Sequence, residues 1–133
     1  MSCSINRIWA RIGLSLMLAF LAMACVDSRA DRHLSAASER IAKQVIEKNK
    51  CGSCHTLKAR GLSLSGNIGP DLSREGQRGR SPDWLRQKII DPGSIPEHTL
   101  LPEFGERQEF MPNFDRLSKQ ELSALIEFLQ SLD

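Results

Sequence analysis

Apolar side chains recur at helical spacing in three stretches of the chain, and each stretch predicts an α-helix. In the first, residues 34–50, apolar positions three or four apart are separated by charged ones, and the pattern runs directly into Cys51. The second begins at residues 81–83 (Ser-Pro-Asp), which supply an N-cap, a proline at the first helical position and an acid in the first turn. Residues 91–93 (Asp-Pro-Gly) end it.

The third helix has the clearest start signal. Ser118 and Glu121 form an S-x-x-E capping box, and Leu117 and Leu122 stand at the two positions of a hydrophobic staple. An apolar stripe at helical spacing then continues to Leu132. This pattern predicts a helix over most of the last 16 residues.

The stretches between the helices show no sustained period. Residues 56–80 contain five glycines and residues 91–116 are punctuated by prolines, so both are predicted as loops. No strand pattern is evident, and the predicted fold class is therefore all-α, with three main helices joined by long loops. Such long loops usually wrap a ligand or carry function. Three short helices bury too little apolar surface to be stable alone, so we expect something to fill the centre.

Residues 1–24 have the composition of an export signal. Arg7 and Arg11 precede an apolar run over residues 12–24, and no acidic residue occurs before Asp27. The run is short for a membrane-spanning helix, which needs roughly 20 apolar residues. We therefore predict a signal peptide over residues 1–24, with an uncleaved anchor as the alternative.

The end of this run fits two kinds of cleavage at one bond, between Ala24 and Cys25. Residues 22–24 (Ala-Met-Ala) fit ordinary signal cleavage, whereas residues 21–25 (Leu-Ala-Met-Ala-Cys) also resemble a bacterial lipobox, whose cysteine is lipidated. Ordinary cleavage would leave Cys25 as an unpaired thiol in an oxidising compartment. This favours lipidation of Cys25, with a flexible tether over 25–33 and the folded domain over 34–133.

The charges give no sign of a nucleic-acid partner. The chain has 18 basic and 16 acidic residues, and loss of Arg7 and Arg11 with the leader balances the two signs. Residues 56–90 are mainly basic and residues 91–133 mainly acidic. Such a dipole would orient the molecule as it approaches a partner, although an ordinary solvated surface is the simpler interpretation.

The main chemical signal is the segment Cys51–His55 (Cys-Gly-Ser-Cys-His). A C-x-x-C pair followed directly by histidine is the c-type haem attachment motif. The thiols of Cys51 and Cys54 would form thioether bonds to the haem vinyl groups, and His55 would bind the iron as proximal ligand. A zinc site would need four ligands, usually in two pairs, and a thioredoxin-like motif would need a βαβ unit.

A sixth iron ligand would come from the C-terminal part of the chain. Met111 is the only methionine after the leader, and it lies in a loop before the third helix, followed by Pro112. A long loop could bring it to the haem face opposite His55. Two alternatives stay open: Met111 only fills a gap in the core, or His98 is the ligand. His33 lies in the tether and is the poorest candidate.

Taken together, these motifs resemble a class I monohaem cytochrome c over residues 41–132. The resemblance is carried by Cys51–His55, by residues 69–72 (Gly-Pro-Asp-Leu) and by Met111-Pro112 leading into a helix. It implies that the first and last helices cross at right angles over a haem cleft. It also implies that the Pro70 carbonyl accepts a hydrogen bond from the non-ligating nitrogen of His55.

Two features depart from that family's pattern. Phe128 is the only aromatic residue for the helix crossing, so smaller side chains should build it. Leu101-Pro102 resembles the methionine-proline pair that relatives carry, so the ligand loop before Met111 should be extended. Residues 69–95 also resemble the haem domains attached to membrane respiratory and oxidoreductase complexes.

Trp84, Arg78 and Arg80 have two interpretations. In the simpler one, Trp84 belongs to the core and the arginines to the surface. In the other, the Trp84 indole N–H and an arginine such as Arg80 face the haem propionates and neutralise their charge.

The sequence therefore predicts a single-haem electron carrier, not an enzyme, that moves one electron between redox partner proteins in the periplasm. It would be a monomer held at a membrane by the acyl chains on Cys25. One alternative is a cytochrome subunit of a larger oxidoreductase complex. Another is an enzyme or sensor with a five-coordinate haem, in which Met111 is not a ligand.

Overall fold

The computed structural model describes residues 34–96, 98, 100–102 and 111–133. The predicted signal peptide, the lipidation site Cys25, the tether with His33 and the extension of the loop before Met111 lie outside the described residues. Within the described residues, no helix is both long enough and apolar enough to cross a membrane.

Three α-helices form the framework: α1 (Ala36–Lys48), α2 (Pro82–Ile90) and α3 (Lys119–Gln130). Each begins at a serine cap, and for α2 and α3 these are the serines that the sequence indicated. The Ser81 hydroxyl accepts a hydrogen bond from the Trp84 N–H at 3.1 Å. At α3, Ser118 and Glu121 exchange reciprocal bonds of 3.2 and 2.9 Å, so the predicted capping box is present.

A β-hairpin lies in the segment that the sequence predicted as loop, so the prediction of no strand was wrong there. Strand β1 (Thr56–Ala59) pairs antiparallel with β2 (Leu62–Ser65), with Ala59 opposite Leu62. The connecting residues Arg60 and Gly61 have φ of 48° and 78°, the positive values that a type I′ turn requires at both positions. Helices still dominate, and the all-α class with three main helices is confirmed.

One hydrophobic cluster joins the three helices, and α1 and α3 form its most extensive pair. Phe128 on α3 is fully buried, as is Ala42 on α1, with Val45 and Ile126 nearly so. The only aromatic residue of α3 thus belongs to one buried cluster with aliphatic side chains that include Val45 and Ile126. The right-angle crossing of α1 and α3 stays a prediction.

The chain between the hairpin and α2 is fastened to the C-terminal end of the molecule. It forms a 3₁₀ turn at Glu75–Arg78, in which the Gly76 N–H donates to the Leu132 carbonyl at 2.7 Å. A Cβ on Gly76 would lie 2.5 Å from the Gln130 carbonyl oxygen, so only glycine allows this approach. This contact fixes the turn beside the pocket described next.

Candidate haem-attachment site

The Cys51–His55 motif forms a tight turn directly after α1. Lys50 takes a left-handed conformation (φ 54°), and a 3₁₀ turn follows over Cys51–Ser53. The Cys51 carbonyl then accepts the His55 N–H at 2.9 Å. Both thiols and the imidazole are thereby carried by one turn of chain, as C-x-x-C-H attachment requires.

The loop after β2 packs against this turn through two glycines. A Cβ on Gly66 would lie 2.5 Å from the Cys54 carbonyl carbon, and one on Gly69 would lie 2.5 Å from Cε1 of His55. The Gly69 N–H also donates to the Cys54 carbonyl at 2.8 Å. Backbone therefore lies directly on one side of the imidazole.

His55 is oriented by the chain that follows Gly69. Its Nδ1 lies 2.8 Å from the Pro70 carbonyl oxygen, so Nδ1 carries the proton and Nε2 is left for a metal. Burial lowers the pKa of His55, although the Pro70 carbonyl and the Glu75 carboxylate oppose that shift. The ring is therefore neutral at pH 7, the form that ligates. The contact implied by the resemblance is present; the iron-binding role of His55 stays a prediction.

A mainly apolar pocket opens beside this turn. It has a volume of about 180 Å³ and is partly open to solvent, and Cys51, Cys54, His55 and Met111 all line it. The other lining residues include the aliphatic side chains of Leu72, Leu85, Ile89, Leu100, Leu101 and Leu129. His98 is exposed and is not among the described residues that line this pocket. Of the two candidate ligands, Met111 lines the pocket and His98 does not, and which of them ligates iron stays a prediction.

Trp84, Arg78 and Arg80 also line the pocket, so the structure brings together all three residues of the predicted propionate side. The Arg80 guanidinium stacks on the Trp84 ring, 3.7 Å from its centroid. Both arginines are ion-paired with Glu75, a buried residue. The two arginines are therefore part of a packed cluster, and the simpler interpretation of them as ordinary surface side chains does not describe them.

Glu75 and Lys88 are two charged pocket residues that the sequence analysis did not assign to the site. Glu75 lies in a glycine-rich stretch that indicated an exposed loop, and its only local signal is Arg78 three residues later. Lys88 lies four residues after Trp84 on α2, a spacing that places both on one helix face. Burial lowers the pKa of the Lys88 amine, and the neighbouring charge of Arg80 adds to this shift.

The residues present fit a covalently bound haem better than the two alternatives. Cys51 and Cys54 are free thiols beside an apolar pocket, and burial raises the pKa of Cys51, so its thiol is protonated at neutral pH. A thioredoxin-like site is contradicted, because the motif follows a helix and precedes a hairpin strand rather than joining a strand to a helix. In the described part of the chain, no three His, Cys, Asp or Glu side chains form a group that could hold a metal ion, as a zinc site would need.

A helical framework, a C-x-x-C-H turn and an apolar pocket that also contains a methionine define a c-type haem protein. The chain belongs to the cytochrome c family, because the Cytochrome c family model matches residues 40–133. The resemblance and the cytochrome c fold are thereby confirmed, and the family implies covalent haem c and electron transfer. No curated protein and no solved structure matches the chain.

Proposed function

We propose that the protein is a periplasmic carrier that moves one electron at a time between redox partner proteins. The observation that carries this proposal is the shared pocket: Cys51, Cys54, His55 and Met111 line it together. Thiols at both attachment positions and two side chains able to ligate iron are what a six-coordinate haem c needs.

Each of these residues would have a defined role. A bound haem supplies an iron that cycles between the ferric and ferrous states. Cys51 and Cys54 would hold it covalently, and His55, oriented by the Pro70 carbonyl, would be one axial ligand. Met111 would be the other, and methionine-histidine ligation raises the reduction potential relative to two histidines.

The pocket lining supports a carrier rather than an enzyme. The lining is mainly apolar, and two iron ligands from the chain, His55 and Met111, would leave no open position for a substrate or for oxygen. The protein would therefore catalyse nothing alone, and electrons would leave at the edge of the group nearest solvent.

The proposal is tested by visible spectra of protein made with haem-maturation machinery, together with a Met111→Ala variant. The oxidised wild type should show a weak far-red charge-transfer band that Met111→Ala loses. Leu101→Ala is the matched control, because Leu101 lines the same pocket and cannot ligate iron. If the oxidised wild type lacks the band and Met111→Ala leaves its spectrum unchanged, Met111 is a packing residue. A changed spectrum in His98→Ala would then assign His98 as the ligand, and an unchanged one would indicate an open iron.

Two further measurements separate the remaining alternatives. Rapid carbon monoxide binding by the reduced wild type would indicate a five-coordinate iron and would overturn the carrier proposal. Co-purification with a larger redox enzyme at stoichiometric yield would instead make the protein a subunit of an oxidoreductase complex.

We also propose that Cys25 becomes the lipidated N-terminus and holds the domain at a membrane. This is supported by the lipobox-like residues 21–25 and by the difficulty of a lone thiol in an oxidising compartment. A Cys25→Ser variant should move the haem protein from the membrane fraction to the soluble fraction. Retention of that variant in the membrane would contradict a lipid anchor.

A further inference from the structure

Glu75 is the one charged residue that is buried in the described part of the chain, with 4% of its surface exposed. It lines the pocket, and its two carboxylate oxygens have different partners. One oxygen lies 3.4 Å from Nε of Arg80, and the other accepts a hydrogen bond from Nη1 of Arg78. A single carboxylate therefore engages both arginines of the pocket wall.

Both arginines are held from a second side as well. Arg78 donates through Nη2 to the Asp71 carbonyl at 2.8 Å, and Arg80 stacks on the ring of Trp84. The Arg80 carbonyl accepts the Gln130 side-chain amide at 3.1 Å. The cluster is thus fixed in position by the chain on each side of it.

Stability alone is a weak reason for such a cluster. Taking charges out of water is costly, and well-packed apolar residues at such positions are often as stable as a buried ion pair or more so. A buried acid at the wall of a pocket is better explained by what the pocket holds. Glu75 is also the single acid among the charged described residues that line this pocket; the bases are Lys50, Arg78, Arg80 and Lys88.

We propose that Glu75 is a positioning residue of the haem site, which holds Arg78 and Arg80 at the pocket wall to face the haem propionates and whose negative charge lowers the reduction potential. This inference rests on the proposed haem-carrier function. Its electrostatic basis is simple: a nearby negative charge stabilises the ferric state relative to the ferrous state, and low dielectric strengthens the effect.

The test is a redox titration of the holoprotein with Glu75→Gln and Glu75→Asp variants. Glutamine keeps the shape and a hydrogen-bond acceptor but removes the charge, whereas aspartate keeps the charge. We expect Glu75→Gln to shift the reduction equilibrium at least threefold towards the reduced form against a fixed redox couple. We expect Glu75→Asp to stay within twofold of wild type. A role in packing alone would not make the potential follow the charge.

Glu39→Gln is the matched control, since Glu39 pairs with Lys43 and Arg60 and is not among the residues that line the pocket. It should leave the equilibrium within twofold of wild type. Equal equilibria for Glu75→Gln and Glu39→Gln would overturn the inference.

Arg78→Gln keeps the inference testable if Glu75→Gln does not fold. Loss of the positive charge should shift the equilibrium towards the oxidised form, opposite to Glu75→Gln, and a shift in the same direction would contradict the electrostatic account. A spectrum without covalent haem in the wild type would overturn the proposed function itself. Covalent haem whose potential is unchanged in every variant would overturn only the role of Glu75.

Discussion

Substitution of Gly69 by alanine tests the architecture of the haem site with a single methyl group. The new Cβ would lie 2.5 Å from Cε1 of His55, 2.8 Å from Nδ1 and 3.1 Å from Nε2. Gly69 does not have a positive φ, so the expected effect is steric rather than conformational. The obstacle is a ring held by the Pro70 carbonyl, which limits how far it can move aside.

The magnitude follows from three contributions. Overpacking a filled site costs about 1–3 kcal/mol. Loss of the hydrogen bond between His55 and Pro70 costs about 0.5–1.5 kcal/mol. Alanine also restricts the unfolded chain, which offsets about 0.4–1 kcal/mol. The central values combine to a net loss in the free energy of unfolding of about 2.3 kcal/mol, within a range of about 0.5–4 kcal/mol. The central value corresponds to a folding equilibrium roughly 50-fold less favourable.

Guanidinium unfolding of the holoprotein measures this loss, with Gly93→Ala as the control. A Cβ on Gly93 would meet only an Asp91 side-chain oxygen at 3.8 Å, and its φ is not positive. The control should therefore equal or slightly exceed the wild type in stability. If Gly69→Ala unfolds at the same midpoint as Gly93→Ala, the backbone does not press on the His55 ring and the account of this side of the site is wrong.

Two further predictions concern the hydrophobic core and the loss of stability at low pH. Phe128→Ala should lower the free energy of unfolding by about 3–5 kcal/mol in a denaturation assay, because Phe128 is fully buried. Glu127→Ala, at the neighbouring exposed position, should change it by less than about 0.5 kcal/mol in the same assay. A loss below about 1 kcal/mol for Phe128→Ala would contradict its place in the core. The Ser73 hydroxyl, followed by the Ser73 N–H, lowers the pKa of the Asp71 carboxyl, so this group contributes stability above its unfolded pKa that is lost as the pH falls through its folded pKa. Ser73→Ala should raise the pKa of Asp71 in an NMR titration, and the variant should lose less stability than the wild type as the pH falls. An unchanged titration of Asp71 would show that Ser73 does not lower its pKa.

The helices could be predicted because their signals are local. The Ser81 and Ser118 caps are set by residues within one turn, and the structure shows them forming the expected bonds. The hairpin was missed for a local reason too. Its strands are only four residues long, and Arg60 is not a residue type that indicates a turn with positive φ. The alternation Leu-Ser-Leu-Ser over Leu62–Ser65 was the one signal available.

The candidate site also has one part that could be predicted from local sequence and one part that could not. The spacing of Cys51, Cys54 and His55 is enough to predict thioether attachment and ligation, because these are properties of one short segment, and the structure places all three residues on one turn. The burial of Glu75 could not be predicted, since it depends on a contact between its turn and the chain end at Leu132. A contact between residues so far apart in the sequence produces no periodic pattern of apolar positions. An acidic residue among glycines is usually exposed.

The two sides of the pocket should respond differently to substitution. The histidine side is built from backbone contacts through Gly66, Gly69 and Pro70, which leave no room for an added atom. The charges of Glu75 and Arg80 act through space, and removing one partner of this buried pair also costs stability. Variants on the histidine side should therefore lose stability with little change in potential, whereas in the Glu75 cluster the potential should follow the charge of the variant. Denaturation and redox titration of both sets of variants would establish whether different residues of one pocket hold the haem and set its reduction potential.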